Sequence, residues 1–427
     1  MSIKRNATAV YLAYSAFDGM LSRLASTVYS VFAILTLGLD PFRLVLMGTI
    51  LEGTYLLFEL PTGIVADTIS RRLSVIIGLL GAGVAFVLLG LSRSFAIAAL
   101  SQVLWGIFAT FQSGADVAWM TDELGEEAAR PLYIRSQQVA HGGALVGIVA
   151  SVALATIDYR LPIVLAGIGF ALLGVVLAIV MPEDHFTERA REDGEQLHQG
   201  LAATFRDGVR EMRGHHIMLL ILGTAALHGA STEGFDRLAD YHVLIDIGLP
   251  AIGHLNRVVW FGVIDGVALL FGLGALSFVK RRVHLEGHAR VARILRWIDV
   301  LLLGSIVVFA ASRWFWLALL AVWGVGALRS VRDPIFAAWI NQGLAPKTRA
   351  TINSVGNQAD AIGQSVGGPA LGLIGNASVP WALAISGLLH LPSLALYARA
   401  IRRGSAGDAE PADTTIQLAA TTIQLEE

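Results

Sequence analysis

The feature that most limits this chain is the spacing of its apolar blocks. Each runs for about 20 residues, the length of helix that crosses a hydrocarbon layer at about 1.5 Å per residue. Charged or Gly/Pro breaks separate them, and they fall near 10–36, 43–62, 73–92, 95–120, 132–157, 161–181, 216–246, 257–279, 291–311, 314–341, 351–375 and 379–400. Twelve such blocks predict an all-α polytopic membrane protein. Of the 427 residues 55% are apolar and only 15% charged, against about 25% charged in soluble proteins. The net charge of −2 gives no general reason to bind nucleic acid. With no cysteine, disulfides, thiolate metal sites and cysteine nucleophiles are excluded.

Basic residues test the count independently, because Lys and Arg collect in cytoplasmic loops. With the N-terminus inside, about 21 fall on the cytoplasmic side, including Arg71, Arg72, Lys280, Arg281, Arg282 and Arg403. Only Arg43, Arg93, Arg160, Arg257 and Arg313 fall opposite. An odd miscount of spans would scramble that bias, so both termini are expected in the cytoplasm of a cell (inner or plasma) membrane protein. The start, MSIKRNATAVYLAYSAF, puts basic residues ahead of an apolar run with no small-residue cleavage site after it. It reads as the first spanning helix and not as a leader.

Four regions are expected: a six-helix bundle over 1–181, a charged cytoplasmic linker with an amphipathic helix over 182–214, a second six-helix bundle over 215–403 and a disordered tail over 404–427, which repeats TTIQL. The bundles echo each other. Trp105-Gly106 returns as Trp323-Gly324, and Ala118-Trp119 as Ala338-Trp339. Gln138 and Gly143 answer Gln358 and Gly363, and Arg23-Leu24-Ala25 answers Arg237-Leu238-Ala239 at a displacement of 214. The displacement is even in spans, so the repeats are parallel and related by an axis along the membrane normal.

The loop between spans two and three reads Gly63-Ile64-Val65-Ala66-Asp67-Thr68-Ile69-Ser70-Arg71-Arg72. It resembles the G-x-x-x-D-[RK]-x-G-[RK]-[RK] signature of the major facilitator superfamily, with Thr68 in place of the base and Ser70 in place of the second Gly. The resemblance implies that Asp67, Arg71 and Arg72 stabilise one conformation by pairing and by touching a helix end of the other half. The alternative is that the two Arg only anchor topology. The flanking Glu59-Leu60-Pro61-Thr62 looks like the multidrug and tetracycline proton antiporters of that superfamily. Two of their features are missing: a mid-helix Arg in span four and a Gly-Pro pair in span five. Gly367-Gly368-Pro369 in span eleven does carry such a pair.

Ionisable groups at bilayer depth are functional candidates by default. Asp18, Glu52, Glu59 and Glu233 have no obvious base beside them and are the candidates for carrying a proton, with Asp18 and Glu52 nearest mid-span and Asp265 weaker. Arg296/Asp299 and Arg329/Asp333 sit three and four residues apart and are expected to pair within their own helices. Asp236 and Arg237, being adjacent, point apart and should pair elsewhere. Arg23 and Arg237 match across the repeat. Span seven is expected to unwind partly around Gly229 and Gly234. Asp333-Pro334 and Asp40-Pro41 read as helix-start or flex signals.

For the substrate cavity the candidates are Tyr29, Tyr55, Gln112, Asp116, Gln138, Arg329 and the polar stripe Asn353, Asn357, Asp360 and Gln364 of span eleven. Gln137, His141, Trp119 and Trp339 are further possibilities, although aromatics near span ends usually sit at the membrane interface. Acids outnumber bases here, which favours neutral or cationic substrates with apolar parts. There is no phosphate-binding Gly-Lys-Ser/Thr loop, and His215-His216 has no carboxylate cluster beside it. No catalytic residue, metal or cofactor is therefore expected. The partners are a small-molecule substrate and the lipid bilayer, and the chain is expected to be a monomer. The function so implied is a secondary transporter, a proton-coupled exporter of small amphipathic compounds. A metabolite uptake facilitator or symporter and a non-transporting scaffold or sensor are the alternatives.

Overall fold

A computed structural model describes residues 6–186, 216–250, 256–282, 287–342 and 346–407. The expected amphipathic helix of the linker, most of the tail with its TTIQL repeat, and His215 lie outside the described residues. What is described is helical throughout. We number the helices α1 (Ala7–Val31, extended by a π-turn, Phe32–Thr36), α2 (Pro41–Thr68), α3 (Arg71–Leu91), α4 (Phe95–Gln112), α5 (Ala115–Leu124), α6 (Glu126–Ala155) and α7 (Arg160–Val180). The second series is α8 (His216–Tyr241, extended by a π-turn, His242–Ile247), α9 (Arg257–Arg282), α10 (His288–Ala311), α11 (Phe315–Ile340), α12 (Pro346–Ala377), α13 (Val379–Leu388) and α14 (His390–Gly407). With α4–α5 and α13–α14 each forming one broken rod, these make the twelve passes that the apolar blocks predict.

Local chemistry sets the ends. The Asp40 carboxylate accepts from the Arg43 N–H at 2.9 Å, with Pro41 at the first helical position, so Asp40-Pro41 starts α2 as expected. Ser70 caps α3 through the Leu73 N–H at 2.9 Å. Gly114 takes φ +73, a left-handed turn that side chains resist, and this divides the fourth pass into α4 and α5. Asp333-Pro334 does not start or end a helix. Pro334 lies inside α11, which continues to Ile340.

Ten described helical rods are long and apolar enough to cross a membrane. The remaining two are passes seven and eleven, whose polar faces dilute their apolar content, and both turn out to border the cavity described below. Helices bond their backbone within the segment, as a hydrocarbon layer demands.

Glycines set the tightest crossings and show the duplication more sharply than residue identities do. Added Cβ atoms at Gly19 and Gly143 would strike the carbonyl oxygens of Ala140 and Ala16, so α1 and α6 touch backbone to backbone. Gly229 and Gly363 meet the carbonyls of Asp360 and Ala226 in the same way, between α8 and α12. The crossing glycines thus repeat at 220 from α6 to α12, but at 210 from α1 to α8. The π-turns beginning at Phe32 and His242 keep that same 210. The match of Arg23 with Arg237 at 214 is therefore corrected by about one helical turn: the repeated element is the glycine crossing, and the shared Arg-Leu-Ala is coincidental. Gly229 and Gly234 do not unwind α8, which is continuous. They let α12 and its neighbours approach closely.

Two buried apolar clusters organise the described chain. One collects Tyr11, Phe32, Leu79, Met120 and Phe170 from the first six passes, and the other Leu238, Leu295, Phe309, Trp339 and Tyr397 from the last six. The groups of passes meet along α2–α12, α2–α8, α6–α9 and α1–α9. Among the described residues, these bonds between them lie toward the face where α2 begins and α12 ends: the Phe42 N–H donates to Asn376 Oδ1 at 2.9 Å, Thr27 Oγ1 donates to Asp265 Oδ2 at 2.9 Å, and Arg23 stands 3.9 Å from Asp265. Gly368, Gly372 and Gly375 of α12 form a groove for Thr49, Phe42, Val45 and Pro41 of α2. That face is sealed. The opposite face, which carries Arg71, Arg72 and the end of α9, is where the helices part.

Candidate functional site

A cavity of about 560 Å³ occupies the space between the two groups of passes on the unsealed side. Its wall is built from the second half of α2, the α4–α5 break, the middle of α8, the second half of α11 and the first half of α12. Acids dominate it: Glu52, Glu59, Asp236, Asp333 and Asp360, against Arg329, Arg332 and His228. Tyr55, Leu56, Phe336 and Ile340 supply apolar and aromatic surface, and Asn353, Asn357 and Gln364 supply amides. Such a mixture is what a small-molecule site needs to fix orientation within a largely apolar frame.

Glu52, Glu59 and Asp360 have no ion-pair partner within 4 Å among the described residues, although the Gln364 amide donates to Asp360 Oδ2 at 2.7 Å. Asp236 is held differently. It pairs with Arg329, whose guanidinium also lies 5.0 Å over the Phe235 ring. Asp236 does pair away from its neighbour Arg237, but the expected Arg329/Asp333 pair is corrected. A contact between helices displaces it, because α8 presents its acid directly across from Arg329.

Glu233 sits at the inner edge of the seal. It is 2% exposed and accepts from Arg237 Nε at 3.2 Å one turn along α8. A Cβ at Gly48 of α2 would overlap both the Glu233 carboxylate and the Arg237 guanidinium, and Gly368 of α12 lies against the Glu233 stem. Glu233 is therefore paired, not free, and belongs to the junction of α2, α8 and α12. Tyr29, with its hydroxyl buried, faces the seal and does not line the cavity.

Asp18, Gln112 and Asp116 are not in the cavity wall either. Gln112 Nε2 donates to the Tyr14 hydroxyl at 3.0 Å and to Asp18 Oδ1 at 3.4 Å, within the first group of passes. Asp116 lies in the first turn of α5, where the helix dipole favours an acid. On α6, Gln138 is exposed and His141 half-buried, and neither is among the residues that line the cavity, so as cavity residues they are corrected. Trp119 and Trp339 are 2% and 0% exposed, so neither rests at an interface nor stacks on a cavity occupant. Each packs against a tyrosine in its own core, Trp119 against Tyr11 of the first pass and Trp339 against Tyr397 of the last.

The signature loop forms a compact charge cluster on the unsealed face. Arg71 lies 2.6 Å from Asp122 of α5 and 3.7 Å from Asp67. The Glu183 carboxylate accepts from the Ser70 hydroxyl at 2.7 Å and the Arg72 N–H at 2.9 Å, while the Arg72 guanidinium donates to the Ala178 carbonyl. These bonds tie α2, α3, α5 and the end of α7 together, all within the first six passes.

The feature that sequence reasoning missed lies beside the cavity in the second half. Asp299, fully buried, accepts from Arg332 Nε at 3.2 Å, and its other oxygen is 3.3 Å from His390 Nδ1. His390 Nε2 meets the Ser231 hydroxyl at 3.0 Å. The expected Arg296/Asp299 pair is thereby corrected, since Arg296 is exposed and points away from the core. Spacing along α10 suggested a local pair. The signal that could have found the real one is His390, a lone basic group inside an apolar span.

Relatives carry the same architecture. The family model of the Major Facilitator Superfamily matches residues 11–285. An uncharacterized MFS-type transporter of Bacillus subtilis (strain 168), YxaM, is 21% identical over 373 residues, covering 86% of this chain and 89% of its own. Among solved structures, nucleoside transporter NupG superposes with a TM-score of 0.71 at 14% identity, covering 92% of this chain and 99% of that one. A bacterial homolog of the human lysosomal transporter Spinster, inward-facing and unoccupied, gives 0.70 at 14% identity over 95% and 99%. A mutant of the peptide transporter POT gives 0.66, also at 14%, over 92% and 94%. With the family match spanning well over half its length, and with twelve passes folded around a cavity between duplicated halves, this chain belongs to the major facilitator superfamily of transporters.

Proposed function

We propose that the chain is a proton-coupled secondary transporter that exports small amphipathic cations by alternating access. The observation that supports this reading is the set of three cavity acids, Glu52, Glu59 and Asp360, that no ion pair neutralises among the described residues. A carboxylate away from bulk water is costly as a bare anion. Its charge is relieved either by a cationic solute or by the positive charge a proton brings, and the cavity does not hold both at once. Competition of that kind is exchange: solute leaves where the proton arrives. Tyr55, Leu56, Phe336 and Ile340 give the apolar part of such a solute somewhere to rest.

On this reading the unsealed face is the cytoplasmic one, because the basic residues collect there. The conformation is then open to the side from which an exporter loads. The Thr27–Asp265 and Phe42–Asn376 bonds would break, and the Asp67–Arg71–Asp122 cluster would meet the second half, when the halves rock to the other state.

One observation favours a second reading. Asn353, Asn357 and Gln364 put amides along one face of α12, which would suit a neutral, hydrogen-bonding solute taken up with a proton. NupG, a structural neighbour, is a nucleoside transporter. Purified protein in liposomes with an internal pH dye, given ethidium and uridine as probes under an imposed pH gradient, separates the two. Exchange of ethidium against protons, lost in Glu52→Gln, supports export. Uridine moving in the same direction as protons overturns it in favour of uptake.

A further inference from the structure

Beside the cavity, α8, α10, α11 and α14 bury a cluster of charged and polar groups that the reading above does not use. Asp299 is its fully buried acid. Around it stand Arg332 from α11 and His390 from the start of α14, with Ser231 and His228 from α8 and Tyr397 from α14 completing the shell. Asp299, His390, Ser231 and Tyr397 are at most 1% exposed, Arg332 2% and His228 8%. Arg332 and His228 form part of the cavity wall, so the cluster touches the solute space at two points. Beyond Arg332, across its own helix, lie Asp333 at 3.8 Å and then the Arg329–Asp236 pair.

One contact in the cluster is incomplete. His390 Nδ1 and Asp299 Oδ2 face each other at 3.3 Å, both buried, and neither atom makes an aligned hydrogen bond. Among the described residues His228 Nδ1 is likewise buried without a hydrogen-bond partner, while Arg332 stands beside the Tyr397 hydroxyl. The rings of His228 and His390 are 5.8 Å apart, which continues the row of titratable groups from the cavity to Asp299. In a membrane protein such unsatisfied positions are expensive unless a proton or a moving charge visits them.

We propose that His390 is the site that holds the exchanged proton, and that Arg332 links its occupancy to the charge of the cavity. This rests on the exchange reading above and adds where the coupling proton resides. A single buried carboxylate can balance one cation but not two. When His390 accepts a proton, at Nδ1 toward Asp299, Arg332 becomes surplus and shifts its charge toward Asp333 and Asp360. The cavity is then less acidic in effect, and a cationic solute leaves. When a cation binds Asp333 or Asp360 instead, Arg332 returns wholly to Asp299, and the proton on His390 departs through His228. Proton and cation thus alternate without touching the same atom. The solute is held among Glu52, Glu59, Asp333 and Asp360 on this scheme, while His390 stores the proton.

Two measurements test it. The first needs no solute. Infrared difference spectra between pH 5.5 and 8.5, taken on full-length protein with ring-labelled histidine, should contain an imidazole–imidazolium band that disappears in His390→Gln. In Ser231→Ala, which removes only the hydroxyl on Nε2, that band should move in frequency, and this serves if His390→Gln fails to fold. A spectrum with no band affected by either variant overturns the proposal, whatever the protein transports.

The second uses ethidium in liposomes. His390→Gln should keep ethidium counterflow within about twofold of wild type while losing gradient-driven accumulation at least tenfold. A merely structural role would lower both together. Accumulation at the wild-type level in His390→Gln overturns the proton site and leaves the exporter reading standing. Absence of any ethidium flux in wild type overturns the cation reading, and the infrared band then decides the histidine on its own.

Discussion

The two halves solve the same burial problem with opposite chemistry. Each packs its first pass against its fifth through a glycine crossing, and each places a Trp against a Tyr at the end of its fourth pass. Next to those shared features the first half sets Asp18 and Tyr14 on Gln112, with Asp116 near by, and no base pairs with them among the described residues. The second half sets Asp299 between Arg332 and His390. A cluster without a paired base tolerates loss of a member, because the loss strands no opposite charge. An ionic cluster does not, because each loss strands a charge. Duplication therefore conserved the packing geometry and left the electrostatics free to diverge.

That contrast can be broken by mutation. The largest effect is expected for Arg332→Met, which strands Asp299 in the core and should cost about 3–5 kcal/mol. Thermal unfolding in detergent measures it. Pairing it with Asp299→Leu should restore most of the loss, and a double mutant no better than the single would show that the pair is not the cause. The counterpart in the first half, Asp18→Asn, should change stability by less than about 1 kcal/mol by the same measurement. A loss as large as that of Arg332→Met would erase the distinction between the halves.

Next in size are the glycine crossings, where the halves should behave alike. Gly143→Val and Gly363→Val each push a side chain into a carbonyl of the facing helix. Each should destabilise by roughly 1–3 kcal/mol, and unequal losses would mean that the packing has diverged too.

A smaller effect is expected at the seal. Asp265→Asn weakens both the Thr27 and the Arg23 contacts. Losing about 1 kcal/mol changes the ratio of the two conformations roughly fivefold. Because the chain has no cysteine, pairs of introduced thiols can carry spin labels across either face, and the distance distributions report that ratio directly. No change in the distribution would remove Asp265 from the seal. Smallest of all is Arg130→Ala. Its partner Glu126 is 4.0 Å away and both side chains are more than four-fifths exposed, so unfolding should be unaltered.

Much of the architecture was legible before any coordinates. Blocks of apolar residues fix passes because hydrocarbon accepts only helices of a certain length. The Gly63–Arg72 signature marked the charge cluster, and Asn353, Asn357, Asp360 and Gln364 do line the cavity together with Glu52, Glu59, Tyr55 and Arg329. Failures came where proximity along one helix was mistaken for partnership. Asp299 ignores Arg296 and takes Arg332, and Arg329 ignores Asp333 and takes Asp236. Gln138 does not line the cavity, and neither does its repeat counterpart Gln358, so likeness across the repeat did not mark a cavity position.

By itself, then, the amino-acid order determined the number of passes, their pairing into repeats and the supply of intramembrane charge. Those follow from the local cost of exposing backbone and side chains to lipid, a cost paid residue by residue. Which acid meets which base, which face is sealed and which carboxylates are left unpaired in the cavity were decided only by the packing of helices. Groups 33 residues or more apart, such as Asp299 and Arg332, become neighbours through contacts between surfaces. No spacing within a single helix encodes that meeting.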